Sequence, residues 1–453
     1  MHSDDPTAPL APLTQAMLRA AKAAGAEAAD ALAVEGRSVS IDVRKGGLEQ
    51  AERSEGLEIG LRVFVGQRQA CISSSDTRPE TLAAMAERAV AMAREAPEDP
   101  YAGLADSQRL AMLRSADGLD LFDPTADPDP AMLQEDARRA EAAALAIDGV
   151  TQVQSASAAY GQQAIWLAAT NGFSGGYART SRHTSCVAIS GEGTAMERDW
   201  CGEGRVFQAD LPAPEAVGRL AGERAVARHG ARRPKTGAYP VLYDERVASG
   251  LIGHLVAAIN GVSIARGSSW LLRAMGEQVL PKCLSLIEDP HRTRSSASRP
   301  FDAEGLPTRA RNLVADGVLQ GWVLDLASAR KLGMESTANA MRGTSSPPSP
   351  GTTNWALTQG TASRADLIAQ MGTGLLVTSL IGSTINPNTG DYSRGASGFW
   401  VDNGEIVYPV NECTIAGNLR DMLGRIIPAN DARPHLAHVV PSLLVEGMTL
   451  AGD

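Results

Sequence analysis

The chain has 453 residues, 43% hydrophobic and 21% charged, a globular mix that excludes wholesale disorder and collagen-like repeats. At roughly 150 residues per domain this length suggests two or three domains, each large enough for a real core. The 42 basic and 52 acidic residues leave a net charge of −10, which repels phosphate backbones and argues against nucleic acid as a partner. No apolar run reaches the ~20 residues that span a bilayer, so no membrane contact is expected. The acidic start Met-His-Ser-Asp-Asp-Pro lacks the layout of a secretory signal. Five scattered cysteines (Cys71, Cys186, Cys201, Cys283, Cys413) do not read as a disulfide framework. The expected location is the cytoplasm.

Residues 1–9 read as a loose tail, and Leu13–Ala24 has helical spacing of Leu, Met and Ala. Between Ala31 and Ser74 the pattern changes to alternation, as in Ser38–Val43 and Leu57–Val63, which predicts a half-buried antiparallel sheet. Pro79–Ala96 is an amphipathic helix with proline in its first turn. After a proline-dense, acidic hinge at Asp123–Pro130, the order returns: helix at Ala131–Ile147, strands within Val150–Glu203, helix at Pro214–Arg228. The chain thus divides into an N-terminal α+β lobe (1–117), a second α+β lobe (118–236) and a β-rich domain (237–453) marked by hairpins. Asp316-Gly317 and Asn403-Gly404 each separate two apolar runs, the strongest short hairpin signal. Ser345–Thr353 reads as an irregular, exposed loop. The expected fold class is α+β, with antiparallel sheets flanked by helices before the β-rich domain.

Most catalytic signatures are missing: there is no P-loop, no Gly-x-Gly-x-x-Gly and no His-Glu-x-x-His. Gly172-Phe-Ser174-Gly-Gly176 fits the nucleophile elbow on paper, but a strand rather than a helix is expected after it, which favours a hairpin turn. His183 and Cys186, three apart on a strand, point to opposite faces and cannot share one ion with Cys201. His435 and His438 converge only on a helix, and the following Val-Val-Pro favours a strand. The basic run Arg224–Lys235 complements a helix C-terminus and needs no ligand. His291–Arg294 with Arg299 reads as a solvated polar loop.

The third region is more specific. Phe301–Arg309, Asn312–Gly321, Ala329–Asn339, Gly390–Trp400 and Thr414–Met422 occur in series. Together they resemble the TldD/PmbA family, in particular its PmbA (TldE) branch. The resemblance implies a heterodimeric zinc metallopeptidase that degrades unfolded peptides and matures modified ones, in which the TldD half carries a His-Glu-x-x-x-His zinc motif. The corresponding window here is Ser249-Gly250-Leu-Ile-Gly-His254, where Ser249 replaces a ligand, Gly250 replaces the base and one imidazole remains. Catalytic zinc needs three protein ligands and an open position. The resemblance therefore implies that this chain binds no cofactor, has no catalytic residues, and relies on zinc in a TldD-like partner. His254 is then a structural residue on a helix expected from Asp244 to Ile259.

Such a half would wall the cleft around unfolded peptides, with sheet edges available to an extended segment. Asn386, Asn388, Asp391, Tyr392 and Arg394, in Asn386–Thr389 and the glycine-rich Gly390–Trp400, are the candidate peptide or interface loops; as tight turns they need the same residue types. For the chain alone a homodimer is an open arrangement. Two other readings stand beside this one: a self-sufficient peptidase with a metal site built from His254, His291, His435 and Cys413, and a regulatory binding protein for a toxin or topoisomerase that performs no proteolysis.

Overall fold

The computed structural model describes residues 5–125 and 127–453, with backbone only at 383–384. The first four residues of the expected tail, and residue 126 of the expected hinge, lie outside the described residues. The N-terminal half runs α1 (Leu10–Ala23), β1 (Ala28–Arg44), β2 (Gly47–Val65), β3 (Arg68–Ser74), α2 (Pro79–Glu95), α3 (Pro130–Leu145), β4 (Val150–Ala169), β5 (Ser174–Ser190), β6 (Glu197–Arg205) and α4 (Pro214–Ala227). Proline opens α2, α3 and α4, where its missing N–H would have had no helical partner.

The two helix–strand–helix units form one sheet. All six strands run antiparallel in the order β3-β2-β1-β4-β5-β6. The units meet along β1 and β4, in register from Asp30 opposite Ala169 to Val43 opposite Ala156, so each covers an edge the other would leave unpaired. One end is packed by α1 and α2 on Ala29, Ala31, Ile59, Leu61 and Val63. The other is packed by α3 and α4 on Val153, Ala156, Cys186 and Ala188. Cys186 and Cys201 face each other across β5 and β6 as free, buried thiols, and burial pushes the Cys186 thiol up to about 12.

The C-terminal half is built on a closed sheet. β7 (Gly237–Tyr243) runs parallel to Gly374–Ile385 and antiparallel to Leu443–Ala451. Asp391–Asp402 and Glu405–Asn418 continue from Gly374–Ile385, and pairing of Thr414–Ala416 with Thr449–Ala451 closes the ring. α5 (Glu245–Ala258) packs on this barrel with Leu251 and Leu255 among Tyr243, Tyr392 and Ile415. Both expected hairpins form. Asp316-Gly317 (φ 48° and 81°) and Asn403-Gly404 (φ 51° and 78°) adopt the left-handed pair that a two-residue turn requires. Ser345–Thr353 is only partly the exposed loop expected: Ser349–Pro350 pairs with Ala340–Met341, and Thr353 is buried with its N–H on Glu288.

The expected solvated loop at 291–299 is instead a set of ties. Arg299 is buried and donates to the Ala340 and Gly351 carbonyls, and Arg292 donates to the Leu436 carbonyl at 2.9 Å. Guanidinium groups spaced along an irregular segment satisfy main-chain oxygens that no strand partner reaches. The basic run after α4 is likewise engaged, with Arg228 on Glu197 and Arg233 on Glu412.

Beside these ties lies a buried acidic pair, Asp302 and Glu304. Asp302 accepts three main-chain N–H groups, from Glu304, Leu306 and Ala340, so it is the member suited to carry charge. Glu304 accepts one, from Leu326 at 2.9 Å. Burial first, then the neighbouring Asp302, holds the Glu304 carboxyl well above its ordinary 4.5. A carboxyl whose pKa rises on folding gives stability that is complete below 4.5 and is lost as pH climbs through the folded value. Glu304→Gln is therefore expected to flatten the fall of Tm between pH 5 and pH 9, with little change at pH 4. Parallel wild-type and variant pH profiles would count against a buried neutral Glu304.

Candidate functional site

The window at Ser249–His254 lies on α5. Asp244 caps this helix by accepting the Arg246 N–H at 3.2 Å, and Ala248, Leu251, Ile252, Leu255 and Ala258 give it one buried stripe at 3.6-residue spacing. The expected helix thus forms, and the other face carries Ser249, Gly250 and Gly253. A Cβ added to either glycine would meet nothing within 4 Å, so this face is bare. It borders two cavities, one of about 420 Å³ reaching His438 and Trp355, the other of about 330 Å³ reaching Arg394 and Trp200.

His254 is half-buried, with its ring edge-on to Tyr392 (centroids 5.8 Å apart, 72° between planes). Its Nε2 is buried without a hydrogen-bond partner among the described residues. Burial, and then the Arg394 charge, lowers its pKa, so the imidazole is neutral at pH 7. A neutral ring nitrogen is a competent metal donor, but Ser249 and Gly250 add neither a second imidazole nor a carboxylate. The residues present therefore do not fit a catalytic zinc, which requires three ligands. Among the described residues no group of three or more His, Cys, Asp and Glu side chains is placed to hold a metal ion. His291 bonds Thr308 at 3.0 Å, His435 Nε2 lies 3.3 Å from a Glu203 oxygen with burial lowering its pKa, and Cys413 donates to the Ala396 carbonyl with its thiol pushed up to about 11 by burial. His438 stacks on Trp355 at the start of a strand. Ser174 opens β5 and accepts from the Trp166 indole at 3.1 Å, in a hairpin with no helix after it.

The five candidate loop residues separate into two groups. Asn386, Asn388 and Asp391 belong to an exposed turn that closes on itself: Asn386 accepts the Asn388 N–H at 3.0 Å, and Asp391 accepts from Thr389 and Asn418. Tyr392 and Arg394 are on a barrel strand, because Gly390–Trp400 forms a strand from Asp391 onward instead of a loop. Two apart, they share the strand face turned toward α5, where Tyr392 is buried against His254. The sequence reading missed Arg246, Thr378 and Trp200 beside the window. Trp200, in a chain with few aromatics, is 56% exposed.

Larger cavities of about 760 and 540 Å³ lie along the central sheet, sharing Val34, Glu58, Gln163, Arg179 and Ser296. No helix among the described residues is long and apolar enough to cross a membrane.

Comparison with known proteins agrees with this architecture throughout. Models of the PmbA/TldA metallopeptidase domain 1, central domain and C-terminal domain match residues 29–93, 123–228 and 236–452. The chain is 39% identical over 420 residues to Metalloprotease PmbA of Escherichia coli O157:H7, covering 92% of this chain and 90% of that protein. A Bacteroides thetaiotaomicron structure described as a modulator of DNA gyrase superposes with TM-score 0.91 at 27% identity, over 99% of this chain and 100% of its own. TldE from Thermococcus kodakarensis shares the fold, with TM-score 0.86 at 20% identity over 97% and 100% of the two chains. On these matches, the chain belongs to the PmbA/TldD metallopeptidase family.

Proposed function

We propose that this chain is the TldE-like, non-catalytic subunit of a cytoplasmic two-chain zinc peptidase, and that a TldD-like partner supplies the metal and the attacking water. The observation that carries the reading is the state of α5. In the correspondence that the family resemblance implies, Ser249 and Gly250 take the places of a ligand and a base, and the remaining His254 packs against Tyr392. In this reading the chain's share of the work is enclosure and positioning: its sheets wall a cleft that an extended peptide can enter and a folded domain cannot. The three-part division at 117 and 236 belongs to the same proposal, with the third part meeting the peptide.

The test is made on the purified full chain, alone and co-expressed with a TldD-like polypeptide bearing the intact motif. The expected result is equal recovery of both chains, one zinc per pair, and cleavage of an unfolded peptide by the pair only. Stoichiometric zinc with turnover by the chain alone would overturn the proposal. The Bacteroides protein's gyrase description favours a second reading, a regulatory protein without proteolysis. Recovery of a topoisomerase in place of a zinc partner would support that reading.

A further inference from the structure

The 330 Å³ cavity beside Ser249 and Gly250 has a one-sided charge balance. It is lined by Arg246, Arg394, Ser249, Thr378, Ser379 and an apolar wall that includes Trp200, with no acidic side chain among the lining residues. Arg246 is neutralised by Asp199 at 3.0 Å and Asp244 at 3.2 Å. Arg394 is not: among the described residues its guanidinium has no ion pair and no hydrogen bond, and its Nε is buried without a partner. Thr378, 6% exposed, also holds a buried hydroxyl without a partner. A buried guanidinium Nε and a buried hydroxyl, both without a partner at one cavity, are costly unless something accepts from them. A planar carboxylate matches the guanidinium fork best.

We propose that this cavity is a carboxylate subsite, in which Arg394 and Thr378 hold the C-terminal α-carboxylate of a peptide and Trp200 packs against its last side chain. The choice of a peptide as the bearer rests on the functional reading above; the carboxylate chemistry rests on the cavity alone. In place of a metal centre, this chain carries an unpaired cation beside α5. The bare face at Gly250 and Gly253 leaves room for the preceding residues of an extended chain.

The probe is an N-terminally fluorescein-labelled octapeptide of Gly, Ser and Leu, made as the free acid, as the C-terminal amide, and as an amide with one internal Asp. Binding to the full chain is read by fluorescence anisotropy. The free acid is expected to bind about tenfold tighter than either amide. In Arg394→Gln the difference should fall within about twofold, whereas Arg394→Lys should keep part of it as a point charge. Thr378→Val should weaken the free acid alone. The acid–amide comparison needs no variant, so it stands even if a substitution fails to fold. Equal binding of acid and amide, or a difference that survives Arg394→Gln, overturns the subsite. An internal-Asp amide that binds as well as the acid overturns the terminal assignment. A chain that recruits a zinc partner but binds none of these peptides loses the subsite and keeps the functional reading.

Discussion

Replacing Asp30 by alanine is expected to lower the free energy of unfolding by about 3–5 kcal/mol, because it strands two buried cations. Asp30, at the start of β1, is 2% exposed. Arg62 of β2 donates to it through Nε at 2.7 Å, and Arg342 from the C-terminal half, whose side chain is 0% exposed, contacts its other oxygen. Burial alone would raise this carboxyl's pKa; Arg342 and then Arg62 more than offset that and hold it below its ordinary 3.8. The chain around Arg342 is seated with no slack, since a Cβ at Gly60 would lie 2.7 Å from Thr344 Cα. The triad thus joins the N-terminal sheet to the C-terminal domain at a point where water cannot replace a lost partner. Denaturant midpoints of wild type, Asp30→Ala and a triple variant with apolar residues at 30, 62 and 342 would measure it. The triple variant should recover much of the loss, since no charge is left unpaired. The sign with pH also follows: a depressed carboxylate pKa gives stability present above 3.8 and lost as pH falls through the folded value, and Asp30→Ala should lack that acid limb. A loss under about 1 kcal/mol would mean that the triad is hydrated or loosely held.

Local structure was legible where periodicity and turn chemistry agreed. α2 begins at the proline that marked it and ends one residue short of the reading, and both Asx-Gly hairpins form where the dipeptides stand. The joining of the two N-terminal units was not legible. Alternation along β1 and β4 shows that each is half-buried, but the register that sets Asp30 opposite Ala169 and Val43 opposite Ala156 is a long-range fact that no local pattern encodes. The same limit applies to Arg299. Its sequence neighbours are polar, yet it is buried because two distant carbonyls converge on it.

The site divided along the same line. The window at Ser249, Gly250 and His254 came from the family resemblance, whereas the helix that carries it, α5, was readable from its apolar stripe. The sequence places Arg394 in a loop, because glycine at 390, 395 and 398 resembles turn chemistry. In the fold Gly390 does serve the turn, with φ 80°, whereas Gly398 lets strands approach closely: a Cβ there would meet Val377 Cα at 3.0 Å. Thr378 and Trp200 carried no local signal, since their significance lies in the cavity they share with residues far along the chain.

Three helical glycines give the same substitution different expected signs. Glycine to alanine inside a helix gains up to about 1 kcal/mol when space allows. At Gly250 a Cβ meets nothing within 4 Å, so Gly250→Ala should stabilise by about that amount. At Gly222 of α4 it would meet Ile147 Cγ1 at 2.9 Å and the Ala144 carbonyl oxygen at 3.0 Å, so propensity and crowding should roughly cancel. At Gly218 it would fall onto the Ala140 carbonyl of α3, 2.7 Å from its carbon and 2.9 Å from Cα. Backbone cannot rotate away, so α4 must lift off α3 and the core of Val153, Cys186 and Val217 must open. Gly218→Ala should therefore destabilise by about 3 kcal/mol. Chemical denaturation of the three variants should order them 250, 222, 218 from most to least stable, and any other order would remove the packing argument. Gly218 is explained by contact, whereas Gly250 is not: helix stability alone favours alanine there. A helix face left bare against its own propensity, beside an unpaired guanidinium, is what an extended ligand crossing α5 requires.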